Sequence, residues 1–350
     1  MLQRIFLYML MVVFLQSGLF GMQKHAVVLQ YHRFDENRYP TTNIPMKLFT
    51  QQIEYLLGNH YTIWPLSKVV RYLMNDQELP DKTVCVTMDD AYKSVYTKAY
   101  PLLKKYKLPF TIFINSGPVL HESPYYLSWG EMREMGNFGA EYANHTYSHQ
   151  YLVRDGIKDP KKYKKHVVKE IEMCENKIEK ELNGHVCTYP KMLAYPFGEY
   201  DKKLMKTVKE LGYIGIAQNS APISSKSNFM ALTRFPMSGD YGKIEQFKLK
   251  VNTLPMPLKN LPDEDTLVSE SNNPPSLTLT LKKPLKSMQC FTADGKKIIM
   301  EWLSDTRVKV QSEQPLQYPR NHYTCTAHAK GNAWYWYSHL WIILEEKTTQ

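Results

Sequence analysis

The stretch Val84-Cys85-Val86-Thr87-Met88-Asp89-Asp90-Ala91-Tyr92 decides how the rest of this chain is interpreted. Its apolar, β-branched half predicts a buried strand, and that strand ends at two adjacent carboxylates, Asp89 and Asp90. Two ionised carboxylates repel each other and lose solvation on burial, so a positive partner such as a metal ion is expected nearby. The alternative is that both cap the following helix, and this stretch alone leaves the choice open.

Short apolar strands alternate with helices from residue 26 to residue 236. The predicted strands are the opening stretch and residues 26–30, 61–63, 110–115, 140–143, 192–198 (with a turn at its end), 214–217 and 232–236. The predicted helices are residues 45–57, 66–74, 94–106, 161–182 and 202–211. This alternation favours an α/β fold with a parallel sheet or barrel.

The composition changes beyond residue 253, where prolines, acidic residues and a Ser-Asn-Asn-Pro-Pro run predict a linker over 254–275. Strict alternation follows at 276–281, and 297–302, 307–310 and 333–344 are further predicted strands. A small all-β sandwich of immunoglobulin-like type over 276–350 fits this pattern. The α/β domain is then expected to span 22–253.

Residues 1–21 predict a secretory signal peptide, because Arg4 precedes an apolar run at 5–15 that small residues follow. The run is short for a membrane span, so export with cleavage near Gly21 is expected, and an uncleaved anchor is the alternative. The destination would be the periplasm, the cell envelope or the extracellular space.

Five cysteines in an exported chain leave at least one unpaired. Cys85 lies within the apolar strand and is expected to be a buried free thiol. We hypothesise that Cys174 pairs with Cys187, and that Cys290 pairs with Cys325.

The net charge of +10 and the pI near 9.1 favour an anionic environment, such as peripheral association with the cell envelope. Much of the lysine lies in mixed runs typical of solvated helix faces. No zinc-finger, RRM or helix-turn-helix pattern is present, so nucleic acid is not an expected partner.

Polar residues stand at the ends of several predicted strands, where a barrel would bring them to one mouth. They are His32, Asp89, Asp90, His145, His149 and Arg234. Two imidazoles four residues apart and one carboxylate suit a three-ligand zinc site with an open position for water. The second carboxylate could accept the proton of that water. Each has a structural alternative: a chance His pair, a hydrogen-bonded strand-end His32, or a surface Arg234.

Four motifs together resemble the polysaccharide deacetylases, the carbohydrate esterase family 4 or NodB-homology group. Thr87-Met88-Asp89-Asp90 resembles the family's T-F-D-D motif, and His145-Thr146-Tyr147-Ser148-His149 matches its H-[ST]-x-x-H motif. Tyr195-Pro196-Phe197-Gly198 resembles its third motif, R-x-P-[YF]. Tyr31-His32 resembles the Y-H of the circularly permuted branch, which includes the biofilm poly-N-acetylglucosamine deacetylases. The resemblance covers roughly residues 26–240.

This resemblance implies a deformed (β/α)7-type barrel of NodB-homology kind. It also implies that Asp90, His145 and His149 hold a divalent metal, most commonly zinc and in some members cobalt or nickel. The implied reaction is hydrolysis of N-acetyl groups on an amino-sugar polysaccharide, with an exopolysaccharide favoured.

The family's catalytic roles would fall on Asp89 as general base and on His32 as the acid that protonates the leaving amine. The main-chain N–H of Tyr195 would help stabilise the oxyanion. Met88 and Ala91 depart from the usual Phe and Gly, and Ala194-Tyr195 replaces the motif's Arg. We hypothesise that Arg234 orients Asp89 instead.

Two other functions remain open, an O-acetyl esterase acting on a similar polymer and a glycan-binding protein without catalysis. The C-terminal region holds Trp302, Trp334, Trp336 and Trp341. These rings are expected in the sandwich core, although the domain could also bind glycan or a secretion partner.

Overall fold

The computed structural model describes residues 22–120 and 123–344. The signal peptide predicted at 1–21 lies outside these ranges and stays a prediction. Within the ranges, none of the helices combines the length and the apolar character needed to cross a membrane.

A nine-stranded sheet forms the centre of the α/β part. Its strands are β1 (His25–Tyr31), β2 (Thr62–Ile63), β3 (Thr83–Asp89), β4 (Phe110–Ile114), β5 (Ala140–Asn144), β6 (Lys191–Ala194), β7 (Tyr213–Ile216), β8 (Ile223–Ser224) and β9 (Phe235–Pro236). The order is β7-β6-β5-β4-β3-β1-β8, with β2 beside β3 and β9 beside β1. Every pairing is parallel except β1 with β8. The predicted α/β architecture is confirmed.

The chain around residues 232–236 links the two edges of this sheet. Leu232 bridges to Ile216 at the end of β7, and Phe235 pairs with Leu29 of β1. The carboxyl ends of the parallel strands therefore converge on one mouth. Arg234 lies in this closing segment, which explains how a late residue reaches the first strands.

Nine α-helices within the described ranges accompany the strands. They are α1 (Met46–Gly58), α2 (Leu66–Met74), α3 (Tyr100–Lys105), α4 (Ser116–Leu120), α5 (Trp129–Gly136), α6 (Leu152–Lys158), α7 (Tyr163–Glu181), α8 (Lys202–Glu210) and α9 (Ile244–Val251). The helix predicted at 94–106 is instead a π-helical turn, Val95–Ala99, followed by α3. Pro101 lies in the first turn of α3, where its missing N–H costs little.

Two further sheets follow the α/β part. Their strands are β10 (Thr253–Pro255), β11 (Leu267–Val268), β12 (Ser276–Thr280), β13 (Gln289–Phe291), β14 (Ile299–Ser304), β15 (Arg307–Gln311), β16 (Arg320–His328) and β17 (Trp334–Ile343). One sheet has the order β10-β17-β16-β13 with β11 beside β17, and the other has the order β12-β15-β14. Leu277, Val308 and Tyr323 belong to one buried core that both sheets share.

The segment predicted as a linker, 254–275, contributes to this structure. β10 and β11 both pair in parallel with β17, so the segment is partly built into the larger sheet. The immunoglobulin-like type and the domain boundaries stay predictions.

Of the two predicted cysteine pairings, one is confirmed and the other is wrong. Cys290 and Cys325 stand opposite each other on β13 and β16 and form a disulfide, as predicted. The pairing of Cys174 with Cys187 is wrong, because both are free and buried in the described structure. Cys174 donates to the Ile114 carbonyl at 3.1 Å in the core on one face of the sheet, whereas Cys187 belongs to the core on the other face. Cys85 is the predicted buried free thiol.

We expect that replacing both Cys290 and Cys325 by Ala lowers the free energy of unfolding by about 2–4 kcal/mol, because the disulfide no longer constrains the unfolded chain. Urea unfolding of the oxidised protein and of the double variant measures this difference. Mass mapping of a non-reduced digest provides the control: a Cys174–Cys187 peptide, or free thiols at Cys290 and Cys325, would contradict this assignment.

Candidate metal and catalytic site

The two carboxylates at the end of β3 are separated by a sharp backbone turn. Asp89 is the last residue of the strand, and the next two residues have positive φ, 73° at Asp90 and 53° at Ala91. A side chain in this left-handed region costs roughly 1–2 kcal/mol, which accounts for the Gly usually found at the position of Ala91. The turn lets the two carboxylates contact different partners.

Asp90 lies beside two histidines from the segment after β5. Its Oδ1 is 3.5 Å from His145 Nε2 and 3.4 Å from His149 Nε2. The candidate ligand atoms of the three residues all lie within 4.8 Å of one another. Ligand atoms that each lie about 2.0–2.2 Å from a zinc ion are separated by about 3–4 Å, so this spacing fits a divalent metal.

The protonation of His145 also fits a metal ligand. Its Nδ1 lies 2.8 Å from the Ala194 carbonyl, and because a carbonyl only accepts, Nδ1 carries the proton and donates it. Its Nε2 is then an acceptor, and it is buried with no hydrogen-bond partner in the part of the chain described. A metal-bound histidine uses this arrangement, with its second nitrogen fixed by a carbonyl.

His149 occupies the more open side of the cluster. Thr146 and His149 both have positive φ, 67° and 55°, and the His149 N–H donates to Thr146 Oγ1 at 3.2 Å. Its ring packs against Phe197, with centroids 4.5 Å apart. Because the His149 side chain keeps 21% of its surface exposed, solvent can reach this side of the cluster.

Asp89 is held by Arg234 through two parallel hydrogen bonds, from Nη1 to Oδ1 at 2.7 Å and from Nη2 to Oδ2 at 2.8 Å. Gln30 donates a third, to Oδ2 at 2.7 Å. Arg234 is itself anchored on the Ala217 carbonyl at 3.0 Å and on Thr87 Oγ1 at 3.2 Å. Burial alone would raise the pKa of Asp89, but the guanidinium overcomes this effect and lowers the pKa to about 2.

His32 completes the group from the end of β1. Its Nε2 lies 3.8 Å from Asp89 Oδ2, and 15% of its side chain is exposed. Burial lowers the pKa of His32 below its usual value, although the carboxylates of Asp89 and Asp90 oppose the shift. The structure thus brings His32, Asp89, Asp90, His145, His149 and Arg234 together, as the strand-end argument predicted.

Tyr195 does not take the place predicted for it. Its N–H donates to the Ile216 carbonyl at 3.0 Å, because Tyr195 continues the parallel ladder of β6 with β7. Its hydroxyl donates to the Met230 carbonyl at 2.8 Å. The N–H predicted to stabilise an oxyanion is therefore used in the sheet, and the prediction is corrected.

Two residues near the site were not predicted from the sequence. Gln30 and Asn115 stand at strand ends, and Asn115 Nδ2 lies 3.5 Å from Asp90 Oδ1. The strand-end argument could have included both. Phe197, with φ 58°, belongs to the stretch that resembles the third motif, but its contact with His149 depends on the tertiary fold.

A cavity of about 700 Å³ adjoins the cluster at His149. Tyr151 and Phe197 stack face to face on its wall, with ring centroids 3.6 Å apart and planes 3° apart. Tyr151 is 38% exposed, so an aromatic surface lies beside the cluster of Asp90, His145 and His149.

We expect the full-length protein to bind one Zn²⁺ per chain, and His145→Ala to abolish this binding because it removes the buried, unpartnered ligand atom. Metal analysis after dialysis and zinc titration calorimetry measure both. His166→Ala, in the adjoining cavity, is the matched control and should bind zinc normally. Unchanged zinc binding by His145→Ala would overturn the ligand assignment.

Arg234→Met should destabilise the protein by about 3–5 kcal/mol, because it leaves a buried carboxylate without its partner. Adding Asp89→Leu to that variant should recover much of the loss, as the uncompensated charge is then absent. Urea unfolding of the two single variants and the double variant measures the coupling. Arg307→Met, at an exposed position, is the control. Additive effects of Arg234→Met and Asp89→Leu on the free energy of unfolding would contradict the pairing.

Comparison with known proteins finds both similar sequences and similar folds. The family model described as polysaccharide deacetylase matches residues 76–216. The poly-β-1,6-N-acetyl-D-glucosamine N-deacetylase of Staphylococcus aureus is 26% identical over 238 residues, which cover 62% of this chain and 80% of that protein.

Solved structures agree at the level of the fold. The Streptococcus pyogenes deacetylase PplD, in complex with acetate, superposes with a TM-score of 0.57 at 24% identity, over 65% of this chain and 98% of that one. IcaB from Ammonifex degensii superposes with a TM-score of 0.56 at 24% identity, over 65% of this chain and 97% of that one. The α/β part thus has the half-barrel fold of the NodB type. With the family model over residues 76–216 and the Staphylococcus aureus relative, these findings show that the chain contains a polysaccharide deacetylase domain.

Proposed function

We propose that this chain is a metal-dependent N-deacetylase that hydrolyses acetamido groups on an amino-sugar polysaccharide. The favoured substrate is a polymer of β-1,6-linked N-acetylglucosamine. The observation that carries the proposal is the buried, unpartnered His145 Nε2 beside Asp90 and His149, next to a carboxylate that Arg234 holds in place. The choice of polymer follows the Staphylococcus aureus relative, a poly-β-1,6-N-acetyl-D-glucosamine N-deacetylase.

Asp90, His145 and His149 would hold the divalent ion, and zinc is our choice ahead of cobalt or nickel because one carboxylate and two imidazoles suit it. Such an ion, when bound, polarises the amide carbonyl and lowers the pKa of a bound water. His145 is kept in the required tautomer by the Ala194 carbonyl.

Asp89 would accept the proton of the attacking water. Its carboxylate is ionised at neutral pH, and three hydrogen bonds from Arg234 and Gln30 fix its orientation. As the water oxygen bonds to the carbonyl carbon, the proton moves to Asp89. Fixed geometry of this kind lowers the barrier because no reorganisation is needed during the reaction.

His32 would deliver a proton to the amine nitrogen as the carbon–nitrogen bond breaks. It lies 3.8 Å from Asp89 Oδ2, near enough for a proton taken by Asp89 to pass on through a small movement. The products are acetate and a free amino sugar. Tyr195 has no role here, because both of its donors serve the fold.

The cavity beside His149 would hold the reacting end of the polymer. Sugar rings present apolar faces that pack on aromatic side chains, and Tyr151 offers one such surface supported from behind by Phe197. Its volume of about 700 Å³ is ample for more than one sugar unit.

Export to the cell envelope, the periplasm or the extracellular space is part of the same proposal. The Cys290–Cys325 disulfide supports it, because such bonds persist in oxidising compartments. Residues 1–21 would serve as the signal peptide, and the C-terminal sheets as a sandwich of immunoglobulin-like type.

The test is acetate release from β-1,6-linked N-acetylglucosamine oligomers by the zinc-loaded protein, with and without a chelator. We expect release to stop with the chelator, and Asp89→Asn and His32→Ala to lower kcat by about 10²–10⁴. Asp240→Asn and His60→Ala, at exposed positions, are matched controls.

Two outcomes would overturn the proposal. Acetate released from O-acetylated sugars but not from the amide oligomers would make the protein an esterase. Oligomer binding without acetate release, with zinc present, would make it a glycan-binding protein.

A further inference from the structure

A second cavity, of about 320 Å³, lies between the α/β part and the larger C-terminal sheet. Gln30, Phe197 and Lys250 line it from the α/β part, while His322 and Thr324 line it from β16. Residues of the C-terminal region therefore form one wall of this cavity.

This cavity adjoins the catalytic group. Gln30 donates to Asp89 at 2.7 Å, and Phe197 packs against His149 at 4.5 Å. Phe197 also lines the larger cavity next to His149. A polymer whose reacting unit lies at the metal cluster could thus place a neighbouring unit here.

The wall contributed by β17 contains buried polar atoms without partners. Ser338 Oγ and Trp336 Nε1 make no hydrogen bond within the described structure, and both residues line the cavity. An unpaired buried polar group costs about 1–3 kcal/mol, so a ligand that supplies hydrogen-bond partners is favoured here. Sugar hydroxyls and acetamido carbonyls are such partners.

The charge of the cavity restricts which sugars fit. Among the described residues that line it, none is Asp or Glu, whereas Lys250 and Arg320 are basic. Lys250 Nζ donates to the carbonyls of Pro236 and Tyr241, at 3.2 and 2.8 Å, and the residue is 3% exposed. Burial lowers the pKa of Lys250 to about 7, so the lasting positive charge in this cavity is that of Arg320. A protonated amino sugar would find no carboxylate among the lining residues and would face this guanidinium.

The size of the cavity sets the length of chain that it can take. A volume of about 320 Å³ lies at the low end of the roughly 300–1,000 Å³ typical of ligand pockets. One sugar unit fits this volume, and a longer segment does not.

We propose that this cavity is a subsite for one neutral, N-acetylated unit of the polymer, adjacent to the unit being hydrolysed, and that β16 and β17 build it. The inference rests on the proposed function. It implies that the enzyme prefers acetylated neighbours over already deacetylated ones.

A bulky residue at Thr324 tests this subsite. Tyr323, Cys325 and Ala327 face the sandwich core, so Thr324 and Thr326 share the opposite face of β16, and Thr326 does not line the cavity. Thr324→Trp should raise KM for an N-acetylglucosamine tetramer by about tenfold, the effect of losing one subsite, with kcat little changed. Thr326→Trp is the matched control and should leave KM unchanged. Acetate release from a single acetylated sugar should be equal in all three proteins.

Calorimetry separates this inference from the proposed function. Tetramer binding is measured on the full-length proteins with a chelator present, so that the ligand is not consumed. Weaker tetramer binding by Thr324→Trp, with normal binding by Thr326→Trp, supports the subsite. This holds even if the wild type releases no acetate, because missing acetate release would count against the proposed function and not against the subsite. Equal tetramer binding by Thr324→Trp, Thr326→Trp and the wild type would overturn the subsite, as would equal affinity for the acetylated and the fully deacetylated tetramer.

Discussion

The ion pair between Asp89 and Arg234 is the interaction on which the site depends. Both side chains are fully buried, and neither charge would be tolerated alone in this interior. The pair joins residues 145 positions apart, so it ties the third strand of the sheet to the segment that connects the sheet's two edges. A buried pair of this kind adds little net stability compared with apolar packing, but it fixes a carboxylate in one orientation. That orientation leaves Asp90 as the carboxylate that contacts the histidines.

Backbone strain at the end of β3 is the second constraint. The positive φ values of Asp90 and Ala91 turn two adjacent carboxylates toward different partners, which solves the repulsion that their adjacency creates. A similar strained turn, at Thr146 and His149, brings the second histidine back over the first. Strain at both positions is maintained by buried surroundings, since every residue of β3 is buried and His145 and Thr146 are fully buried after β5.

The C-terminal sheets pack against the α/β part and lie close to the candidate site. β10 and β11 connect directly into the larger sheet, and β16 and β17 bring polar side chains to the edge of the catalytic group. Of the four tryptophans expected in the sandwich core, Trp341 is buried there. The expectation is wrong for Trp302, which is 43% exposed, and Trp336 packs on Phe235 of the closing segment. One C-terminal aromatic side chain therefore lies at the junction of the two parts.

The alternation of strands and helices could be predicted from the sequence alone, and so could the residues that meet at the strand ends. The second prediction was possible because parallel strands bring their carboxyl ends to one side, whichever helices connect them. The sequence also indicated that Arg234 would replace the absent motif arginine. Three facts became clear from the fold alone: the N–H of Tyr195 is bonded within the sheet, Cys174 and Cys187 lie on opposite faces, and Phe197 contacts His149. These facts depend on which neighbour each strand pairs with and on the direction in which the turn at Phe197 points its ring. The local sequence indicates that turn, but it indicates neither the strand neighbours nor the contact of the ring.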